Sequence, residues 1–208
     1  MSPLYNTLQH TRLMPVVTPY SVEATLGIAR ALVEGGINAI EITLRTPAAL
    51  DAIREVKASG IDILLGVGTL TSARNVQAIA DIGVDFAISP GVTENLLRAG
   101  RDTGVQLLPG VGSASELMLG MEYGLTEFKL FPADTINGYE LLKAFGGPFG
   151  DIRFCPTGGI GPANLKKYMD LPNVFCVGGS WMVPKGAVLA GEWEKVSQIC
   201  RDSLALLS

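Results

Sequence analysis

Apolar residues fall along the chain in short runs separated by longer amphipathic stretches. The runs are Leu13–Thr18, Ala39–Leu44, Ile61–Gly68, Phe86–Ser89, Gln106–Pro109, Glu127–Phe131, Arg153–Pro156 and Val174–Gly178. Each has the length of a strand, and many are apolar at successive positions, as in parallel strands covered on both faces. The stretches between them carry helix start and stop signals. Ser21 opens a helix over Ser21–Glu34 that Gly35 and Gly36 close. Thr46-Pro47 opens one that ends at Gly60, Thr71 opens Thr71–Ile82 ahead of Gly83, and Thr93 opens one ending at Gly104. Ser113 and Glu116 form a capping-box pair leading toward Gly124. Further helices are predicted near Gly138–Phe145, Pro162–Asp170 and Gly186–Leu207, with a short one ahead of the first strand.

Eight strand–helix pairs in 208 residues make about 26 residues per unit. That even spacing predicts one (β/α)8 TIM barrel domain over 1–208, compact for the class, with a doubly wound open sheet as the alternative. Composition narrows the setting. With 48% apolar and 17% charged residues, the chain reads as an ordinary globular protein. A net charge of -4 and the lack of any Lys/Arg-rich run argue against a nucleic-acid partner. Met1–His10 is polar and no apolar stretch is long enough to span a bilayer, so neither a signal peptide nor a membrane partner is expected. Three cysteines without close spacing (Cys155, Cys176, Cys200) fit buried reduced thiols and a cytoplasmic location.

In a barrel of parallel strands the chemistry sits where strands end and βα loops begin. One strand holds a lysine. Of seven lysines, Lys57, Lys143, Lys166, Lys167 and Lys195 lie on predicted helices and Lys185 in a loop near one, all as solvated charges. Lys129 instead lies inside Phe128-Lys129-Leu130-Phe131. An enclosed ammonium ion must be paired or lose its proton, and the neutral amine is the form that attacks ketones to give imines. A structural ion pair, with Glu127 or Glu41, is the other reading. Glu41 is a strand carboxylate in need of a reason, as partner of Lys129, as general acid/base, or both. Arg45 follows in phase and is suited to gripping a carboxylate in bidentate fashion, or to a rim salt bridge. After the last two strands come Thr157-Gly158-Gly159 and Gly178-Gly179-Ser180, compositions that let backbone N–H groups approach a phosphate and that equally make tight turns. A lone histidine, His10, lies outside these regions, so neither a Ser-His-Asp nucleophile nor a His-rich zinc site is expected. Too few rim carboxylates are present for a magnesium site. Gly66-Val67-Gly68 lacks the third glycine of a dinucleotide fingerprint.

Taken in order, the segments 41–47, 66–69, 89–90, 128–133, 156–160 and 177–181 resemble the 2-keto-3-deoxy-6-phosphogluconate (KDPG) / 4-hydroxy-2-oxoglutarate (KHG) aldolases, and the likeness runs from about Leu13 to Val183. The resemblance implies a class I aldolase without metal or other cofactor, acting on a small 2-keto acid phosphate as a homotrimer. It implies Lys129 as the Schiff-base lysine and Glu41 as the general acid/base. Arg45 and Thr69 would surround the substrate carboxylate, with Pro90 and Phe131 packed nearby. Thr157 would bear on stereochemical choice, and Gly158, Gly159 and Ser180 on the phosphate. The chain departs from the pattern at Gly112 and Asp134, which touches loop detail. Phosphogalactonate aldolases are similar too, but the presence of both Arg45 and Thr157 favours the gluconate-type substrate. A phosphosugar isomerase or synthase, or a phosphate-binding barrel without activity, are the other readings.

Overall fold

The computed structural model describes residues 2–208. Helix α1 (Pro3–Leu8) precedes β1 (Leu13–Val17), α2 (Val22–Glu34), β2 (Ala39–Thr43), α3 (Ala49–Ala58), β3 (Leu64–Gly68), α4 (Ala73–Ala80) and β4 (Phe86–Ile88). Next come α5 (Glu94–Thr103), β5 (Leu107–Leu108), β6 (Gly110–Val111), α6 (Ala114–Glu122), β7 (Glu127–Leu130) and α7 (Gly138–Phe145). The chain ends with β8 (Arg153–Pro156), α8 (Leu165–Met169), β9 (Val177–Gly179), α9 (Lys185–Leu189) and α10 (Trp193–Ala205). Among the described residues no helix is long and apolar enough to cross a membrane.

Every strand pairing is parallel. A six-stranded sheet of order β5-β4-β3-β2-β1-β9 forms a half-barrel, and β6-β7-β8 form a second sheet. Two seams connect them. Only Pro109 lies between β5 and β6, and single bridges, Phe154–Val174 and Thr157–Gly178, join the β8 segment to the β9 segment. Pro109 has no N–H to give a ladder, so the expected strand Gln106–Pro109 is reduced to β5, and pairing resumes beyond the proline in β6. Its carbonyl still accepts from Lys129 N at 2.9 Å.

Side-chain alternation sorts the core into two parts. Outward residues such as Ile42, Val67, Phe128 and Phe154 meet the helices in one large cluster. Inward residues Met14, Ala39, Phe86, Ile88, Leu108, Cys155 and Cys176 form a smaller cluster that Leu4 and Leu8 of α1 close from below. Gly66 and Phe86 are in register on neighbouring strands, and a Cβ at Gly66 would overlap the Phe86 ring, so the floor of the inner cluster needs glycine there.

Most helix starts behave as their residue types dictate. The hydroxyls of Ser21, Thr93 and Ser113 accept from Ala24, Leu96 and Glu116 N, and Gly104 ends α5 in the left-handed region. Several boundaries differ from the sequence expectation. Ser72, not Thr71, caps α4, while Thr71 donates instead to Asn75 Oδ1. The Glu116 carboxylate reaches Gly112 N at 2.7 Å, one residue short of the full capping box. The third helix begins at Ala49, since Thr46 turns its hydroxyl to Pro19 O at 2.6 Å. The long final helix Gly186–Leu207 is two, broken where Gly191 takes a positive φ of 68°. The last strand is Val177–Gly179 instead of Val174–Gly178.

Gly66→Ala is expected to lower unfolding free energy by about 1–3 kcal/mol through overpacking against Phe86, read from the midpoint of a urea titration.

Candidate active site

Strands β2 and β7 are not neighbours in either sheet, yet their inward side chains meet across the enclosed space. Lys129 Nζ lies 3.2 Å from both Glu41 Oε1 and Glu41 Oε2. Their side chains are 7% and 2% exposed. Glu127, the other partner considered from sequence, points to the opposite end and accepts from Ser2 Oγ at 2.5 Å and Thr126 Oγ1 at 2.9 Å. The pair is therefore Lys129 with Glu41. Two charges brought this far from water survive only by mutual attraction and hydrogen bonding. The same contact lets a proton pass directly between amine and carboxylate.

Local sequence explains the fit. Gly110 and Cys155 flank Lys129 in register, and a Cβ at Gly110 would overlap the Pro90 carbonyl. A Cβ at Gly68 would overlap the Glu41 carboxylate, so that glycine on the adjacent strand is what admits Glu41. Phe131 stands beside the amine, its ring centroid 5.4 Å from Lys129 Nζ. Beneath the pair, burial is the main cause pushing the Cys176 thiol well above its usual range, and all three cysteines are free and buried.

Arg45 is exposed just beyond β2 and donates Nε to Thr69 Oγ1 at 3.1 Å. Thr69 has φ 66°, a costly conformation for a β-branched residue, and it brings the hydroxyl under the guanidinium. Arg45 makes no ion pair among the described residues, which leaves its terminal nitrogens for an anion. Pro90 is half-buried at the same rim and its carbonyl closes on Gly110.

Thr157 is buried, and a Cβ at Gly178 would overlap its hydroxyl; a Cβ at Gly179 would overlap the Trp181 ring. These two glycines are buried in β9 and serve close packing, whereas Gly159 and Ser180 are exposed. Gly158 and Gly159 take φ of 101° and 77°. Their loop is fastened to the segment after β7: Ala133 N donates to Thr157 O at 2.8 Å and Asp134 N to Gly158 O at 2.9 Å. Asn164 holds the other side, accepting from Gly161 N at 2.8 Å and donating to Gly159 O at 3.2 Å and Asp134 Oδ1 at 3.3 Å. Tyr168 OH donates to the same Asp134 oxygen at 3.5 Å, and burial first, then the Asp134 carboxylate, push its phenol upward. The rim thus brings together the lysine–carboxylate pair, an unpaired arginine and a braced glycine loop.

Gly68, Asn164 and Tyr168 were not singled out from sequence. Gly68 belongs to the 66–69 segment that carries the family resemblance, but nothing in the sequence gives it a role of its own. Asn164 falls inside the expected helix Pro162–Asp170, whereas α8 begins only at Leu165 and leaves Asn164 ahead of it, free to brace the loop.

A parallel α/β scaffold with a lysine and a glutamate buried together at its strand ends defines a carbonyl-handling enzyme of the imine-forming kind. Comparisons sharpen that class. A sequence-family model for KDPG and KHG aldolase matches residues 4–199. The 2-dehydro-3-deoxy-phosphogluconate aldolase of Pseudoalteromonas atlantica is 46% identical over 193 residues, covering 93% of this chain and 90% of that protein. The KHG/KDPG aldolase of Escherichia coli K12 is 44% identical over 192 residues, covering 92% and 90%. A crystal structure of the KDPG aldolase of Legionella pneumophila, with pyruvate captured as a covalent carbinolamine, superposes with a TM-score of 0.93 at 40% identity and covers 97% of this chain and 98% of that one. The chain belongs to the KDPG and KHG aldolase family.

Glu41→Leu is expected to leave Lys129 unpaired and cost about 3–5 kcal/mol of stability, whereas the double replacement with Lys129→Met regains most of it. A double-mutant cycle by chemical denaturation checks this.

Proposed function

We propose that this chain is a class I aldolase. It cleaves 2-dehydro-3-deoxy-6-phosphogluconate to pyruvate and D-glyceraldehyde 3-phosphate, and 4-hydroxy-2-oxoglutarate to pyruvate and glyoxylate. The observation that carries the reading is the buried contact of 3.2 Å between Lys129 and both oxygens of Glu41. Family membership and the covalent carbinolamine of the Legionella relative support it.

The chemistry follows from that contact. Glu41 takes a proton from the Lys129 ammonium, freeing the lone pair to attack the C2 ketone. The protonated carboxyl returns a proton to the departing hydroxyl, so water leaves and a protonated imine forms. Glu41, again a carboxylate, removes the proton of the C4 hydroxyl, directly or through one water. The C3–C4 bond breaks, its electron pair flows into the imine, and the aldehyde departs from an enamine. Protonation at C3 and hydrolysis of the imine release pyruvate and restore the amine. The imine is the electron sink, so the reaction calls for neither metal nor organic cofactor. Arg45 with Thr69 holds the carboxylate end, Pro90 and Phe131 pack beside it, and Thr157 lies where the C4 configuration is sensed. Gly158, Gly159 and Ser180, with Gly178 and Gly179 behind them, receive the phosphate. Binding both ends directs remote binding energy into aligning the bond that breaks.

The reading includes one closed (β/α)8 barrel domain over 1–208, the two seams at Pro109 and Thr157–Gly178 completing the eight-membered ring. It extends to a cytoplasmic homotrimer, for which the family likeness and the buried free thiols speak.

Borohydride added with pyruvate should reduce the imine to a stable N-(1-carboxyethyl) amine on the peptide containing Lys129 and abolish activity; label on another peptide, or none, refutes the imine. Glu41→Gln should lower kcat by about 10²–10⁴-fold in a coupled pyruvate-release assay with pyruvate trapping at Lys129 still detectable, and an undiminished rate removes the base assignment.

A further inference from the structure

A cavity of about 340 Å³ opens between the ends of β1, β2 and β9 and helix α9. Thr18, Tyr20, Arg45, Ser180 and Lys185 give it a polar wall, Val17 and Ile28 contribute an apolar one, and no carboxylate lines it. Lys185 reads in the sequence as a solvated surface charge. Like Lys167, it lacks an ion pair among the described residues and has a tyrosine ring beneath its ammonium, and it differs from Lys167 in lining a cavity. Lys57, Lys129, Lys143, Lys166 and Lys195 each have a carboxylate oxygen within 3.4 Å, and Lys167 lies over the Tyr139 ring. Lys185 has no ion-pair partner among the described residues, and its Nζ stands 5.5 Å from the centroid of the Tyr20 ring, on the cavity wall. Ser180 and Lys185 bound the β9 side and Arg45 the β2 side. The cavity therefore touches one residue from each end of the proposed substrate grip, Arg45 and Ser180.

We propose that Lys185 is a specificity-determining residue that meets the distal phosphate dianion of the substrate at the Ser180 side of this cavity. The inference rests on the aldolase reading and names the cation that reading lacked. A phosphate monoester carries about -1.5 to -2 charge near neutrality. The hydroxyl of Ser180 and the backbone of the glycine loop supply donors but no formal charge. An ammonium on a flexible four-carbon stem supplies that charge without fixing a direction. Arg45, with its Nε already committed to Thr69, remains with the carboxylate.

The test compares Lys185→Gln with the wild type on the phosphorylated substrate and on 2-keto-3-deoxygluconate, which shares the carbon skeleton but lacks the phosphate. The ratio of the two kcat/KM values should fall about tenfold or more, mainly through KM for the phosphorylated substrate, and Lys185→Arg should recover most of it. A ratio within twofold of wild type overturns the proposal. Calorimetric titration with inorganic phosphate reads the cavity without turnover. Binding weakened about tenfold in Lys185→Gln supports the assignment, and equal titrations of the two proteins overturn it. Should the wild type cleave neither substrate, the aldolase reading fails while the phosphate titration still decides the role of Lys185.

Discussion

Attraction between one ammonium and one carboxylate, both withdrawn from water, is the constraint to which the rest of this structure answers. Lys129 and Glu41 are 88 positions apart and sit on strands that do not touch. Holding them at hydrogen-bonding distance requires curvature in the sheets, a fixed register in each, and room on the neighbouring strands. Gly68 provides the room for Glu41. The registers Glu41 with Gly66 and Lys129 with Cys155 provide the height. A one-residue slip in either strand would turn a charge outward into the layer of helices.

The rim residues extend the same logic outward. An arginine without a carboxylate partner, a threonine held in a left-handed conformation beneath it, and a glycine loop pinned by Asn164 and Asp134 are each costly or idle as pure structure. On the aldolase reading they become anion-seeking groups on either side of the Lys129 amine. That arrangement suits a substrate charged at both ends with a ketone between.

Much of this was legible in the chain. Continuous apolar runs at even intervals declare parallel strands, and a lysine inside Phe128-Lys129-Leu130-Phe131 declares itself by being out of place. Glu41 is visible for the same reason. What could not be read depends on three-dimensional neighbours. Glu127 and Glu41 both share a strand phase compatible with Lys129, and only the fold assigns Glu127 to Ser2 and Thr126. Gly68 has no role of its own until the carboxylate beside it is seen. The break at Gly191 and the split at Pro109 reflect local backbone preferences that hydropathy periodicity averages away.

The short first helix carries a last consequence. Leu4 and Leu8 stopper the inner cluster from beneath, so traffic to the lysine is one-ended. On the aldolase reading, the three-carbon fragment tethered to Lys129 occupies the deepest berth and the aldehyde the shallower one. The covalent tether fixes the order of departure, the aldehyde first and the keto acid only after the imine is hydrolysed, and the synthetic direction must load in the reverse sequence.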